Sequence, residues 1–302
     1  MMEEVIYQGD WERLDVFLSS KFSYSRNFFH HIIERDWVLV NGKAVKKSFK
    51  LKMGDKIVID NLERYLSPIL LEEAPRIDIP IIKEEDDYLV INKPKGVLSH
   101  PNSIWDISYP SVVWFLYHHY KTLPSIGNFI RAGLLHRLDK DTDWLMIIAK
   151  TEEGLAYFKE LFKEKSEKES IEEKKKVPLK KWYRAVCEIW EQWEIFLEQI
   201  ERKLPFIIQE VVKAKVPNST PKMGITQVET VERLDKKHVF LSLQIFTWRT
   251  HQIRYHLSSH GLAIVWDYLY GKECDIPMQL TAYKLEFIDN LGNSIRIELP
   301  RD

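Results

Sequence analysis

Residues 134–150, LLHRLDKDTDWLMIIAK, constrain the fold more than any other stretch of the chain. Five consecutive apolar residues, Leu145 to Ala149, follow a polar turn and read as a short buried strand. The apolar pair Leu134-Leu135 reads as a shorter strand leading into the same turn. Between the two lie His136, Arg137, Asp139, Lys140, Asp141, Thr142 and Asp143. Ionisable groups on a loop clamped between two rigid strands are a common way to build a reactive site. A solvated hairpin turn is the plain alternative, and composition alone does not separate the two.

Composition narrows the function classes. The 302 residues suffice for one sizeable core and a small accessory domain. Hydrophobic residues at 45% and charged residues at 29% describe an ordinary globular chain. The net charge of −1 gives no global sign of nucleic-acid binding, so any RNA contact has to come from local patches. Two cysteines, Cys187 and Cys274, are too few for a disulfide framework or a cysteine-based zinc site. No apolar stretch approaches a membrane span, and the first residues, MMEEVIYQGD, lack a signal-peptide pattern, which makes the cytoplasm the expected compartment. His256 and His260 have i,i+4 spacing and stand near His251, but no carboxylate or cysteine clusters beside them in sequence, and no metal is expected.

Residues 1–62 read as a first domain. Helical spacing begins at Arg13-Leu14-Asp15 and again at Ser25-Arg26; a strand, Val38–Val40, ends in an Asn41-Gly42 turn, and a second turn and strand cover residues 51–59. Lys43, Lys46, Lys47, Lys50, Lys52 and Lys56 crowd one short stretch against a single acid, Asp55, a cluster suited to neutralising phosphates. The pattern RLDVFL…SR…VLVNGK…GDKI resembles the small RNA-binding module shared by a small-subunit ribosomal protein and several RNA-modifying enzymes. Residues 63–80, with Pro68, Pro75 and Pro80, read as a linker, and 81–302 as the second domain. In that domain Tyr88–Ile91 reads as a buried strand, 111–120 as a core helix and Glu153–Lys163 as an amphipathic helix. Residues 163–181, KEKSEKESIEEKKKVPLKK, are so charged that they read as a solvated loop or helix extension. Leu280–Leu299 reads as paired strand closing the sheet.

Four segments carry a wider resemblance: DYLVINKPKGVLSHP, HRLDKDT with its following strand, Trp182-Tyr183-Arg184-Ala185, and Thr247-Trp248-Arg249-Thr250-His251-Gln252-Ile253-Arg254. Together they resemble the large-subunit rRNA (RluA-type) pseudouridine synthases over nearly the whole chain. The resemblance implies an α+β fold: a catalytic domain with a central mixed or antiparallel sheet, plus the small N-terminal α/β RNA-binding domain. It implies isomerisation of uridine to pseudouridine, with Asp139 acting on a flipped nucleotide, Arg254 paired to that aspartate and Tyr183 stacked on the base. Arg137 would fill the space the base leaves, with His136 and Leu285 also facing the substrate and Lys43, Lys46, Lys47 and Lys50 holding RNA. The implied partner is RNA, 23S rRNA or a pre-ribosomal particle, with no membrane and no cofactor. A tRNA substrate, or an RNA-binding assembly factor without catalysis, stays open.

Trp144, Trp248 and Trp266 stand where the family's motifs have glycine. The chain has 10 Trp and only 11 Gly; the two together match the roughly 21 glycines that average usage gives. The expectation is that UGA codons read as glycine in the source, as some bacterial lineages do, have been written as tryptophan.

Overall fold

The computed structural model describes residues 3–22, 26–60, 75–101, 109–120, 133–136, 139–190, 194–216, 219–272 and 278–301. They fall into two units: Met1–Asp78 with Leu98–Gly133, and Ile79–Val97 with Leu134–Asp302.

In the first unit, β1 (Glu3–Ile6), β2 (Val38–Val40), β3 (Lys43–Ala44) and β4 (Lys56–Ile59) form an antiparallel sheet in the order β1-β4-β2-β3. Asn41 and Gly42 both take positive φ, 52° and 73°, as a two-residue hairpin turn between twisted strands requires. Helices α1 (Leu14–Phe22) and α2 (Arg26–Ile33) share one apolar cluster with this sheet; Leu14, Leu18, Phe29 and Ile32 are fully buried there. Asp15 is buried too, held by Arg13, Arg26 and His30 at 2.9, 2.8 and 2.7 Å. Burial opposes its charge, but these three donors outweigh burial and hold the carboxyl below its usual range. A further helix, α3 (Val112–His119), begins at Ser111, whose Oγ accepts from the backbone N–H of Trp114.

The second unit is built on a ten-stranded mixed sheet. Its strands are β5 (Ile81–Glu84), β6 (Tyr88–Lys93), β7 (Asp143–Ala149), β8 (Leu179–Ile189), β9 (Phe206–Val212), β10 (Lys222–Arg233), β11 (His238–Ile245), β12 (Leu262–Ile264), β13 (Leu280–Ile288) and β14 (Ser294–Glu298). The main path runs β5-β6-β7-β13-β8-β11-β10-β9; β12 adds to β8 and β14 to β13. Every described pairing in it is antiparallel except β7–β13. Helices α4 (Glu152–Glu167), α5 (Ile171–Lys176), α6 (Glu194–Arg202) and α7 (Gln252–Ser259) complete the unit. Phe158, Leu161 and Phe162 of α4 pack on Tyr88, Leu145, Ile147 and Phe287 from the strands. No helix among the described residues is long and apolar enough to cross a membrane.

Three expectations are corrected. Only the second flank of the 134–150 segment is a strand; Leu134 makes one isolated bridge to Ile148, and 135–136 are a bend. The C-terminal segment does not close the sheet at an edge. It is the hairpin β13–β14, and β13 lies mid-sheet between β7 and β8. Residues 163–181 do extend the helix and are largely exposed, but they are not a solvated run throughout. They contain the end of α4, all of α5 and the start of β8, and they bury Lys165, Lys174 and Lys181. Burial is tolerated because each ammonium finds an acceptor: Lys165 donates to Leu179 O, Lys174 to Lys165 O, and Lys181 to His136 Nε2.

Candidate active site

The alternation of β8 sets the site. Its eleven residues alternate buried and half-buried, so Leu179, Lys181, Tyr183, Ala185, Cys187 and Ile189 share one face. Lys181 and Tyr183 therefore project together into a pocket also lined by His136, Asp139, Ile245, Thr247, Trp248, Arg249, His251, Arg254 and Leu280.

Asp139 enters this pocket from the loop before β7. Its own carbonyl accepts from Thr142 Oγ1 at 3.0 Å, and the Lys140 carbonyl accepts from the Gly96 N–H at 2.9 Å. Lys93, fully buried at the end of β6, donates to Pro94 O, Val97 O and Lys140 O, tying the 94–97 turn to the Asp139 loop. Desolvation pushes the Lys93 ammonium down to about 8, against the pull of Asp143, Asp141 and Asp139.

Arg254 approaches from the first turn of α7. Its side chain is 4% exposed, and Nη1 lies 3.3 Å from Asp139 Oδ2. Its Nε and Nη2 are occupied by Asp267, each at 2.7 Å, in a buried two-pronged pair. Burial works against the guanidinium charge, but Asp267 and then Asp139 outweigh it and hold the group firmly charged. Asp267 also accepts from the N–H groups of Leu269 and Tyr270, so it is itself fixed by backbone.

Tyr183 is buried, and burial followed by the nearby Asp139 charge holds its phenol well above the ordinary range, so it stays neutral. His136 is neutral for the same first reason, burial, reinforced by Lys181. Lys181 donates to His136 Nε2 at 2.8 Å, and its Nζ lies 5.2 Å from the Phe162 ring centroid and 5.4 Å from that of Trp248. Desolvation pushes Lys181 down to about 7. The pocket thus combines one half-buried carboxylate, a buried guanidinium beside it, neutral donors and flat aromatics. These groups can hold a polar, planar ring beside a carboxylate.

The structure brings together four of the residues read from the sequence: Asp139, Arg254, Tyr183 and His136. Leu285 instead sits in the apolar cluster with Tyr88, Leu145 and Phe287; the residue of β13 that lines the pocket is Leu280. Arg137 lies outside the described residues. Lys43, Lys46 and Lys50 are exposed in the first unit, whereas Lys47 is paired with Glu34 at 2.9 Å. His256 Nδ1 is 3.0 Å from Thr226 Oγ1, and His260 stacks on Phe196 beside Glu210. Sequence reasoning missed Asp267, Lys181, His251 and Tyr270 as members of the site. The available signal was position, His251 inside the Thr247–Arg254 segment and Asp267 and Tyr270 shortly after it; Lys181, in a charged run, carried none.

The tryptophans behave differently from the other large residues. Trp266 has φ +64°, as does Trp11 at +52°; the other non-glycine residues described with positive φ are Asp36, Asn41 and His251, types that tolerate it. Trp248 lies half-buried in the pocket wall 5.5 Å from Phe162, its Nε1 buried without a hydrogen-bond partner. The backbone of Trp144 lies in β7, paired with Lys93 and Ala282.

A family model described as RNA pseudouridylate synthase matches residues 87–259, and an S4 domain model matches 12–57. The chain is 32% identical over 278 residues to a protein of Aquifex aeolicus (strain VF5) described as an uncharacterized RNA pseudouridine synthase, covering 90% of this chain and 81% of that one. It is 32% identical over 297 residues to the ribosomal large subunit pseudouridine synthase D of Borreliella burgdorferi, covering 94% and 84%. It is 27% identical over 267 residues to the ribosomal large subunit pseudouridine synthase C of Vibrio parahaemolyticus, covering 86% and 76%. Among solved structures, Human RNA Pseudouridylate Synthase Domain Containing 1 shares the fold, with a TM-score of 0.53 at 18% identity over 74% of this chain and 84% of that one.

Proposed function

Because the chain belongs to the RNA pseudouridylate synthase family and so isomerises uridine in RNA, we propose that its substrate is large-subunit (23S) rRNA, free or within a pre-ribosomal particle, in the cytoplasm. The named large-subunit relatives support this, since the similarity to the Borreliella protein runs over 94% of the chain. Residues 1–62 act as the RNA-binding domain, 63–80 as a linker and 81–302 as the catalytic domain. The exposed Lys43, Lys46 and Lys50, with Lys47 beside them, meet phosphates.

The observation that carries the site assignment is the Asp139 carboxylate, 3.3 Å from a buried Arg254 in a pocket with Tyr183. A uridine in folded RNA hides its reactive atoms and has to be flipped into such a pocket. There Tyr183 stacks on the uracil, His136 and Arg137 contact the nucleotide, and Asp139 is the reacting carboxylate. The N1–C1′ bond breaks, the ring turns, and C5 bonds to C1′ while the C5 proton leaves and N1 gains one. The exchange is redox-neutral, and the reading assigns it no cofactor.

The test has two parts. Pseudouridine mapped in rRNA from cells with and without the protein should differ at one or a few positions. Purified Asp139→Asn should bind RNA yet form no pseudouridine, because a near-isosteric amide is neither nucleophile nor base. Wild-type activity in that variant would refute the site assignment, and unchanged rRNA with altered tRNA would refute the substrate.

A further inference from the structure

His251 occupies the N-cap of α7 but makes no capping hydrogen bond, and its backbone is left-handed at φ 56°, ψ 22°. An N-cap side chain ordinarily satisfies one of the orphan N–H groups of its helix. This one gives up that role: its backbone sits in the left-handed region, which histidine tolerates, and the side chain is turned away from the helix N–H groups. The imidazole, 8% exposed, reaches into the pocket instead, with Nε2 3.6 Å from Asp139 Oδ2.

Its other nitrogen has a partner that can accept or donate. Nδ1 lies 3.2 Å from the Tyr270 hydroxyl, and that hydroxyl accepts from the Lys215 backbone N–H at 2.7 Å. The phenol hydrogen can then point at Nδ1, and in that tautomer the ring proton is on Nε2, facing the carboxylate. Asp267 links the two supports. Its carboxylate holds Arg254 through two side-chain bonds and the 269–270 backbone through two more. The same buried acid therefore sets both the arginine and the tyrosine that orients the histidine.

We propose that His251 is a positioning residue for the isomerisation: locked by Tyr270 with Nε2–H directed at Asp139, it holds the carboxylate, together with Arg254, in the orientation that meets the flipped nucleotide. The inference rests on the reading of Asp139 as the reacting group. Orientation of this kind acts on the chemical step rather than on RNA capture, and a misplacement near 1 Å can cost on the order of 100-fold in rate.

The test uses the full chain and an rRNA fragment that it modifies. His251→Asn keeps a residue that tolerates the left-handed backbone but shortens the donor; Tyr270→Phe keeps the ring but removes the lock. Each should lower kcat while leaving KM within about twofold, the mark of an interaction made in the transition state. The double variant should be no worse than His251→Asn alone, since both remove one device. Thermal melts of the two single variants should match that of the parent chain. Full kcat in either single variant, a rise in KM at constant kcat, or effects that multiply would overturn the proposal. An inactive Asp139→Asn beside a fully active His251→Asn defeats this inference alone, whereas an active Asp139→Asn defeats the site reading beneath it.

Discussion

At Trp266 a bulky side chain is carried on left-handed backbone, φ +64°, immediately before the Asp267 that organises the pocket. Replacing it in parallel by alanine and by glycine removes the same indole, so whatever the ring contributes cancels between the two variants. What remains is the backbone. A Cβ in the left-handed region costs ~1–2 kcal/mol, which glycine does not pay. Glycine in turn gives the unfolded chain more freedom, a loss of ~0.4–1 kcal/mol. The glycine variant should therefore be the more stable by roughly 0.5–1 kcal/mol, which is ~1–4 °C in Tm for a unit of this size. Trp11, at φ +52° and 63% exposed, should show the same order. Trp182, inside the extended β8, should show the reverse, with alanine ahead by ~0.5–1 kcal/mol. Thermal melts and urea titrations of the six variants measure all three. If alanine equals or beats glycine at 266, the backbone argument fails. The coding DNA then tests the cause. UGA at 144, 248 and 266, and by the backbone criterion at 11, is expected, with glycine found at those positions by mass spectrometry of the native protein; UGG would end the idea. At Trp248 the gain is functional as well, since the indole fills part of the pocket wall and buries an unmatched N–H, a cost of ~1–3 kcal/mol. The Trp144→Gly, Trp248→Gly, Trp266→Gly triple variant should be more stable and more active than the chain as written.

Asp267→Asn should destabilise the second unit by ~3–5 kcal/mol in urea titration, because Arg254 is left charged and buried with half its grip gone; an unchanged midpoint would mean that the pair is dispensable. Lys165 and Lys181 are pushed down to about 7 by burial, against ~10.4 for an unfolded lysine. Between those values the unfolded chain binds more protons than the folded one, so stability rises with pH from about 7 to about 10 and levels off above. Lys165→Met should flatten that rise, and an identical pH–stability curve would show that the ammonium is not desolvated. Removing residues 1–62 should weaken rRNA binding and reduce the slope of log affinity against log salt, read by filter binding, because the Lys43–Lys56 phosphate contacts are gone; an unchanged slope would assign the module another task.

Elements whose pattern is local were legible in the sequence. The apolar run 145–149 is a two-sided buried strand, and Asn41-Gly42 turns where its φ preferences say it should. The alternation of β8, visible as Leu179, Lys181, Tyr183, Ala185, Cys187 and Ile189, was obscured because a lysine occupies one of its buried positions. Charge was the misleading signal in both directions. Lys165, Lys174 and Lys181 lie in a stretch whose composition says solvent, yet each is buried, since a carbonyl or imidazole waits within hydrogen-bond reach. Two of these acceptors, the Leu179 and Lys165 carbonyls, lie in the same charged stretch and the third, His136, lies far upstream, and only the folding of α4, α5 and β8 brings them to the ammonium groups.

The same reason divides the site. Asp139 and Arg254 are 115 residues apart and were paired only through resemblance, whereas nothing in the sequence around Asp267 ties it to the arginine. Its importance is in connectivity: one carboxylate satisfies two guanidinium nitrogens and two backbone N–H groups. Asp267, fully buried with donors on both oxygens, has no face left for a bound molecule, while Asp139, 28% exposed with Arg254 at 3.3 Å, still faces the pocket. The division of labour between two acids around one arginine follows from how many donors each already has. That inventory exists only once α7, the 266–271 turn and the loop before β7 have been brought together.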